Sequence, residues 1–190
     1  MSAISRLPET PILETSRLML KPLTPEDAPV MQRRFPRWDI VRYLSTRVPW
    51  PYPDDGARSY IALCQNEMAQ GQKHHWSIRL KAGPDELIGC IDLWPDDGKS
   101  RDMRGFWLDP AFQRLGLTTE AAERVTEYAF RDLGWPHLWL SNAEENAASA
   151  RIKEKQGARL IDREAVRYVG GEGLRMVWLL ERTAWLTRRA

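Results

Sequence analysis

The sequence predicts one mixed α/β domain: a twisted, mostly antiparallel central sheet with helices on both faces. Three observations predict it. Segments alternating apolar and polar residues at period 2 take turns with segments whose apolar residues recur every three or four positions. Three successive period-2 segments joined by tight turns form a meander between residues 75 and 108. A helix and a further strand then follow, so part of the sheet is reached by a crossover. The 190 residues suit a single domain, and at 43% hydrophobic they can bury a core.

Residues 17–22 open the pattern, with Leu18 and Leu20 alternating against Arg17, Met19 and Lys21. Thr24-Pro25-Glu26-Asp27 starts a helix: Thr24 can cap it, Pro25 suits its first position, and the acids favour its positive end. The helical pattern continues to Leu44 with a break at Pro36. Val48-Pro49-Trp50-Pro51-Tyr52-Pro53 cannot lie inside a helix and forms a rigid aromatic loop. A second helix spans 55–70, with Tyr60, Ile61, Leu63, Cys64 and Met68 at helical spacing, and Gly71 ends it. The meander strands lie at 75–80, 86–94 and 103–108, with turns at Gly83-Pro84-Asp85 and Asp96-Asp97-Gly98. A long helix over 118–133 follows, with Leu117, Ala121, Val125, Tyr128 and Ala129 on one stripe, stopped by Gly134 and Pro136. Then come a strand at 137–141 and a helix at 147–156 closed by Gly157. Strands at 158–168 and 175–182 finish the chain, joined through Gly170-Gly171-Glu172-Gly173. The domain is taken as 12–182, with an N-terminal extension over 1–11 and a tail over 183–190.

Composition narrows the function classes. Basic residues number 28 against 26 acidic, a net charge of +2, too balanced to draw nucleic acid by bulk attraction. Cys64 and Cys90 are far apart in apolar stretches, which argues for buried free thiols rather than a disulfide or a metal site. Residues 1–11 lack the apolar core of a secretory signal, and no apolar run is long enough to span a membrane. A cytoplasmic protein with no membrane or nucleic-acid partner is expected. The nine tryptophans serve either packing or the lining of a pocket.

The chemistry centres on Phe106–Glu120, where a strand runs through Gln113-Arg114-Leu115-Gly116-Leu117-Thr118 into the long helix. The first backbone N–H groups of a helix lack internal partners and carry the positive end of its dipole, so together they form an anion site. Gly116 lets the backbone approach a ligand closely, Arg114 adds a charged donor, and the Thr118 or Thr119 hydroxyl can cap or bind. On spacing alone, a pyrophosphate site and an ordinary capped turn are equal readings.

A resemblance separates them. Gln113-x-x-Gly116-x-Thr118 after a strand resembles the pyrophosphate loop of the GNAT acetyltransferases. Gly105-Phe106-Trp107-Leu108-Asp109-Pro110 is similar to a strand end of the branch that includes ribosomal-protein N-terminal acetyltransferases. Asn146-Ala147-Ala148-Ser149 with Glu154-Lys155-Gln156-Gly157 resembles a downstream helix of that branch, and residues 14–28 resemble its first strand and helix. There are departures too. Thr118 stands where the family has Gly or Ala, Met103 stands where the branch often carries Glu, and Gln156 and Ala158 replace Leu and Phe.

The resemblance implies an N-acetyltransferase that moves the acetyl group of acetyl-CoA to a primary amine, a protein N-terminus or a small molecule, by direct attack in a ternary complex. It implies a gap between the third meander strand and the strand after the long helix. Pantetheine would lie there against the backbone at Trp107 and Leu108, with the Leu108 N–H facing the thioester oxygen. Pyrophosphate would sit on the amides from Arg114 to Thr119, and Asn146 and Ser149 would line the arm. Ser149 is the candidate proton donor to the leaving thiolate, or else a hydroxyl in the turn capped by Asn146. Asp92, unusual inside a strand, is the candidate base, or else a solvated or Arg-paired acid. His74 and His75 are read as exposed, and His137 as packed. Trp50, Tyr52, Trp76, Trp94 and Trp107 are candidates to line the acceptor pocket, and no metal is implied. The rival reading is a non-catalytic acyl-CoA-binding or regulatory domain. The apolar 176–180 segment, read as a sheet edge, makes a homodimer conceivable.

Overall fold

The structure, a computed structural model, describes residues 6–189. Its larger sheet runs in the order β1 (Leu13–Glu14), β2 (Leu18–Pro22), β3 (His74–Leu80), β4 (Leu87–Leu93) and β5 (Arg104–Leu108), every pair antiparallel. The smaller sheet pairs β6 (His137–Ala143) with β8 (Gly171–Glu181) and β8 with β7 (Arg159–Tyr168), again antiparallel. The sheets meet where the Met103 N–H donates to the Trp139 carbonyl at 2.8 Å. Beyond that point β5 and β6 belong to separate sheets, so a gap opens between them. The meander strands match the expected ones to within a residue or two.

Strand alternation sorts the apolar side chains onto two faces. Leu18, Leu20, Trp76, Ile78, Ile91 and Leu93 point to one face and are fully buried there. Removing each from water stabilises the fold by about 1.5–3 kcal/mol, offset by the entropy of ordering the chain. The stripe Leu117, Ala121 and Val125 of α4 (Leu117–Glu127) packs onto them. The helix ends in a wider π-helical turn, Tyr128–Asp132, where the Leu133 N–H reaches the Tyr128 carbonyl. On the opposite face Leu23, Leu87 and Cys90 lie under α1 (Ala28–Arg34), α2 (Trp38–Val41) and α3 (Gly56–Ala69). Pro36 separates α1 from α2, since its ring has no N–H to continue the helical ladder. Leu63 corrects the expected α3 stripe: Ala57, Ile61 and Cys64 follow helical spacing inward, and Leu63 falls on the far side, exposed. Between β4 and β5 the backbones come so close that a Cβ on Gly89 would collide with the Trp107 carbonyl.

Three expectations at the chain ends change. The hairpin joining β7 and β8 turns at Val169 and Gly170, with Tyr168 opposite Gly171, so Gly171 and Gly173 lie in the last strand rather than before it. β8 is the central strand of its sheet, not an edge, because the hairpin folds β7 outside it; the sequence-based ground for a homodimer falls with that. The segment read as a tail holds α6 (Arg182–Thr187), and its Trp185 is buried against Phe130 with Nε1 donating to Glu123. At the other end, residues 1–5 of the expected extension lie outside the described residues. Leu7 pairs with the Gly71 carbonyl, and the Pro11 carbonyl accepts from Trp76 Nε1.

Candidate active site

The loop after β5 is built by its own side chains. The buried Asp109 carboxylate accepts from the Ala111 N–H at 3.0 Å and from Arg34 Nη1 at 2.7 Å, which ties the strand end to α1. Gln113 Nε2 donates to the Leu108 carbonyl at 3.0 Å, so this exposed residue braces the loop. Arg114 takes a left-handed φ of +63° and Gly116 one of +77°. Gly116 is the N-cap of α4 and no side chain caps the helix. A Cβ built on Gly116 would meet only Arg17 Nη2, at 3.5 Å, so the space over the first amides is open. Thr118 and Thr119 are half-buried beside that opening, and Leu117 is anchored in the core, offering only its main chain.

Arg17 is a second cation at this loop that sequence reasoning missed. Its Nη1 donates to the Leu115 carbonyl at 2.9 Å and its Nε to Glu120 at 2.6 Å. Burial pushes the Glu120 carboxyl up, but hydrogen bonds from Thr15, Arg17 and Ser16 outweigh it and hold the group at about 2. The only sequence signal was an arginine beginning a strand, which any exposed strand end could carry. A cleft of about 520 Å³ flanks the loop, lined among others by Thr15, Gly116, Thr119 and Glu120.

Main-chain direction along β5 follows from its pairing. The Trp94 N–H donates to the Met103 carbonyl and the Asp109 N–H to the Ile88 carbonyl. In an antiparallel ladder alternate residues turn their polar groups to the partner, so Gly105 and Trp107 address β4. The main chains of Phe106 and Leu108 therefore face the gap toward β6. The expectation that Trp107 lends its backbone to the gap is corrected by this alternation, whereas the Leu108 N–H does point there. Across the gap, Asn146 caps α5 (Ala147–Gln156), its Oδ1 accepting from the Ser149 N–H at 3.1 Å. The buried Ser149 hydroxyl lies 2.9 Å from Lys153 Nζ, one turn along the helix.

On the face under α3 sits a polar cluster. His75 is buried, against the expectation of exposure, with Nδ1 2.9 Å from Asp92 and Nε2 2.7 Å from Glu67. Burial opposes its charge, but Asp92 and the hydrogen bonds His75 makes to its neighbours outweigh it and raise it to about 12. The imidazolium thus donates from both nitrogens. Asp92 also accepts from the Tyr60 hydroxyl at 3.3 Å, and burial first, then the Asp92 charge, keeps that phenol protonated. Tyr60 and Glu67, seven residues apart on α3, bring this cluster together; the acidic residue on an otherwise apolar stripe was the available signal. His74 points to the other face, buried near Thr10 and Tyr128, and burial lowers it to about 4. His137 is half-buried and pairs with Asp96 at 3.1 Å.

The aromatic candidates divide. Trp76 is fully buried on the α4 face, beside Tyr128, and is removed from the acceptor lining by strand alternation. Tyr52 and Trp107 both pack edge-on against Phe35, at 5.1 and 5.2 Å, on the α1 side. Trp94 lies over Gly105 on the Asp92 side, with Lys73 at its ring. Trp50 is exposed against Trp38 in the 42–54 loop, which the β7–β8 hairpin tip holds through Arg42 and Leu44. Met103 is buried, its sulfur accepting from the Trp139 N–H.

Residues 17–159 match a family model described as "Acetyltransferase (GNAT) domain". Among known proteins, the chain is 30% identical over 108 residues to "Probable N-acetyltransferase YjcK" of Bacillus subtilis, a match spanning 56% of this chain and 59% of that protein. It is 28% identical over 151 residues to "Uncharacterized N-acetyltransferase YoaA" of the same organism, spanning 77% and 82%. Among solved structures, RimL, a ribosomal L7/L12 α-N-protein acetyltransferase in complex with coenzyme A, superposes with a TM-score of 0.76 at 14% identity, covering 90% of this chain and 98% of that one. The ribosomal-protein-S5-alanine acetyltransferase of Vibrio fischeri gives 0.76 at 13% identity, covering 92% and 98%. At such identities the likeness is one of fold.

Proposed function

Because the chain belongs to the GNAT acetyltransferase family, we propose that it transfers the acetyl group of acetyl-CoA to a primary amine, in a ternary complex. One observation carries the reading: an uncapped helix start, opened by Gly116, stands beside a gap into which the Leu108 amide points. The residues fit the group. The amides from Arg114 to Thr119 with Arg17 and Arg114 would hold the pyrophosphate, and Asn146 and the Phe106 and Leu108 main chains would hold the pantetheine arm. Acetyl-CoA supplies an activated acyl carbon and a thiolate leaving group. The Leu108 N–H stabilises charge on the acyl oxygen. Ser149 faces the leaving group. Asp92, its carboxylate oriented by His75 and Tyr60, accepts the proton of the incoming amine directly or through one water.

The acceptor approaches between α3 and the 42–54 loop, against Trp94, Trp107 and Tyr52, with Trp50 at the rim. Its amine is the α-amine of a peptide or that of a small molecule. Two buried free cysteines suit a reducing compartment, and we place the protein in the cytoplasm.

Calorimetric titration with acetyl-CoA tests the reading, beside a Gly116→Glu variant that fills the open space and adds negative charge. Micromolar binding by the wild type, lost in the variant, is the expected result. Binding without thiol release on any amine would favour the non-catalytic alternative, and no binding by the wild type would overturn the reading.

A further inference from the structure

Lys153 lies in the middle of α5 and is 2% exposed. Burying an ammonium is costly unless it is well paired, yet no carboxylate lies within ion-pair distance of it among the described residues. Its Nζ donates to the Ser149 hydroxyl oxygen at 2.9 Å and to the Ser149 carbonyl at 3.4 Å. The Phe106 ring of β5 lies 5.5 Å from it. It thus sits in the wedge where β5 and β6 part.

The charges around it come from every element packed on α5. Asp102, just before β5, accepts from Ser141 of β6 through Oδ2, and its buried Oδ1 has no hydrogen-bond partner among the described residues. Arg104 of β5 is buried and donates to Thr126, the Ala122 carbonyl and Gln156, with Glu123 of α4 nearby. Arg175 of β8, paired with Glu164 of β7, faces Asp102. Burial, then Arg104, lower Lys153 to about 7, and Asp102 opposes them. The group changes protonation near neutral pH.

A hydroxyl that accepts a hydrogen bond from Lys153 has its own proton free to point elsewhere. We propose that Lys153 is a positioning residue for proton delivery, aiming the Ser149 proton at the leaving thiolate and replacing that proton once it is given. The proposal rests on the acetyl-CoA reading of the gap. Ser149 Oγ gives its proton to sulfur as the C–S bond breaks with its electron pair going to sulfur. Lys153 Nζ passes a proton to Ser149. The proton released by the acceptor amine, as its nitrogen bonds to the acetyl carbon, returns to Lys153 through solvent. No other reactant is needed.

Coenzyme A itself is the probe. The thiol of bound coenzyme A is titrated by its ultraviolet thiolate absorbance on the wild type and on Lys153→Met, Lys153→Gln and Lys153→Arg. A nearby ammonium favours thiolate, so below about pH 7, where Lys153 keeps its proton, the thiolate fraction should be about tenfold greater on the wild type than on Lys153→Met, and the difference should fade as pH rises past 7. Lys153→Arg, which stays charged, should keep that tenfold difference from Lys153→Met above about pH 7 as well. Thermal unfolding should show Lys153→Met at least as stable as the wild type, since it loses a buried charge and keeps its volume; a merely structural lysine would lower stability and leave the thiol unmoved. Should that variant fail to fold, Lys153→Gln, neutral and polar, carries the same expectation for the thiol. An unchanged titration in a folded variant that binds coenzyme A overturns the proposal alone. Failure of the wild type to bind coenzyme A overturns the reading of the gap, and the proposal with it.

Discussion

His75 Nδ1 lies 2.9 Å from Asp92 Oδ1 across the β3–β4 register, and the same ring reaches Glu67 with its other nitrogen. Removing the ring leaves two carboxylates facing a part-buried space. His75→Gln should therefore cost about 3–5 kcal/mol. In the folded protein His75 titrates at about 12, above its ordinary 6.5, so its stabilisation is full below about 6.5 and is lost as pH rises toward 12. Urea denaturation should show the gap between wild type and variant narrowing from about pH 7 to about pH 10. A constant gap would refute the charged-bridge assignment.

Asp92→Asn keeps the shape of the side chain and removes its charge. We expect kcat to fall by about a hundredfold, while calorimetry returns an acetyl-CoA affinity within about twofold of the wild type, since Asp92 lies on the acceptor side. A weakened affinity with unchanged kcat would move Asp92 out of the proton path.

Arg17→Met removes the guanidinium beside Gly116 and the tie between Leu115 and Glu120. Acetyl-CoA should bind about tenfold more weakly, in line with the loss of one charge-assisted contact to phosphate. The difference should shrink as salt is added. Affinity equal to the wild type at low salt would show that Arg17 only braces the loop.

Trp185→Ala in α6 opens a cavity against Phe130 and frees Glu123 from the indole. Denaturant unfolding should register a loss of about 3–5 kcal/mol. A loss below about 1 kcal/mol would mean that the C-terminal helix contributes little to the fold.

Trp76 and Trp107 offer a paired test of the sheet's two faces. Trp76→Phe should cost stability of about 1 kcal/mol through the lost bond to the Pro11 carbonyl, with the acceptor KM unchanged. Trp107→Ala should raise the acceptor KM several-fold. The opposite pattern would reverse the faces assigned to β3 and β5.

The local pattern was legible wherever one residue type has one physical use. Gly116 before an apolar stripe announced a helix start, and Asn146 three residues before Ser149 announced its cap. The α4 stripe from Leu117 to Ala129 is buried throughout, since its period leaves it no other face to hide. What resisted reading was whatever depends on a partner distant in sequence. His75 looked like an exposed strand start because nothing local reveals Glu67 above it and Asp92 beside it. Nothing local distinguishes Lys153 from Lys155 on α5, and its burial depends on β5 and β6 enclosing it.

From the order of periods, turns and caps the chain by itself determined most of the strands and helices, that they make one domain, and that a glycine-bearing loop leads from β5 into the start of α4. Only the tertiary structure decided which face of the sheet each histidine and tryptophan takes, that β8 is interior, that residues 182–187 form a packed helix, and that Ser149, Lys153 and Phe106 share one wedge. The reason is physical: propensity and periodicity act over a turn or two of chain, whereas burial and ion pairing are set by groups brought together from tens of residues apart.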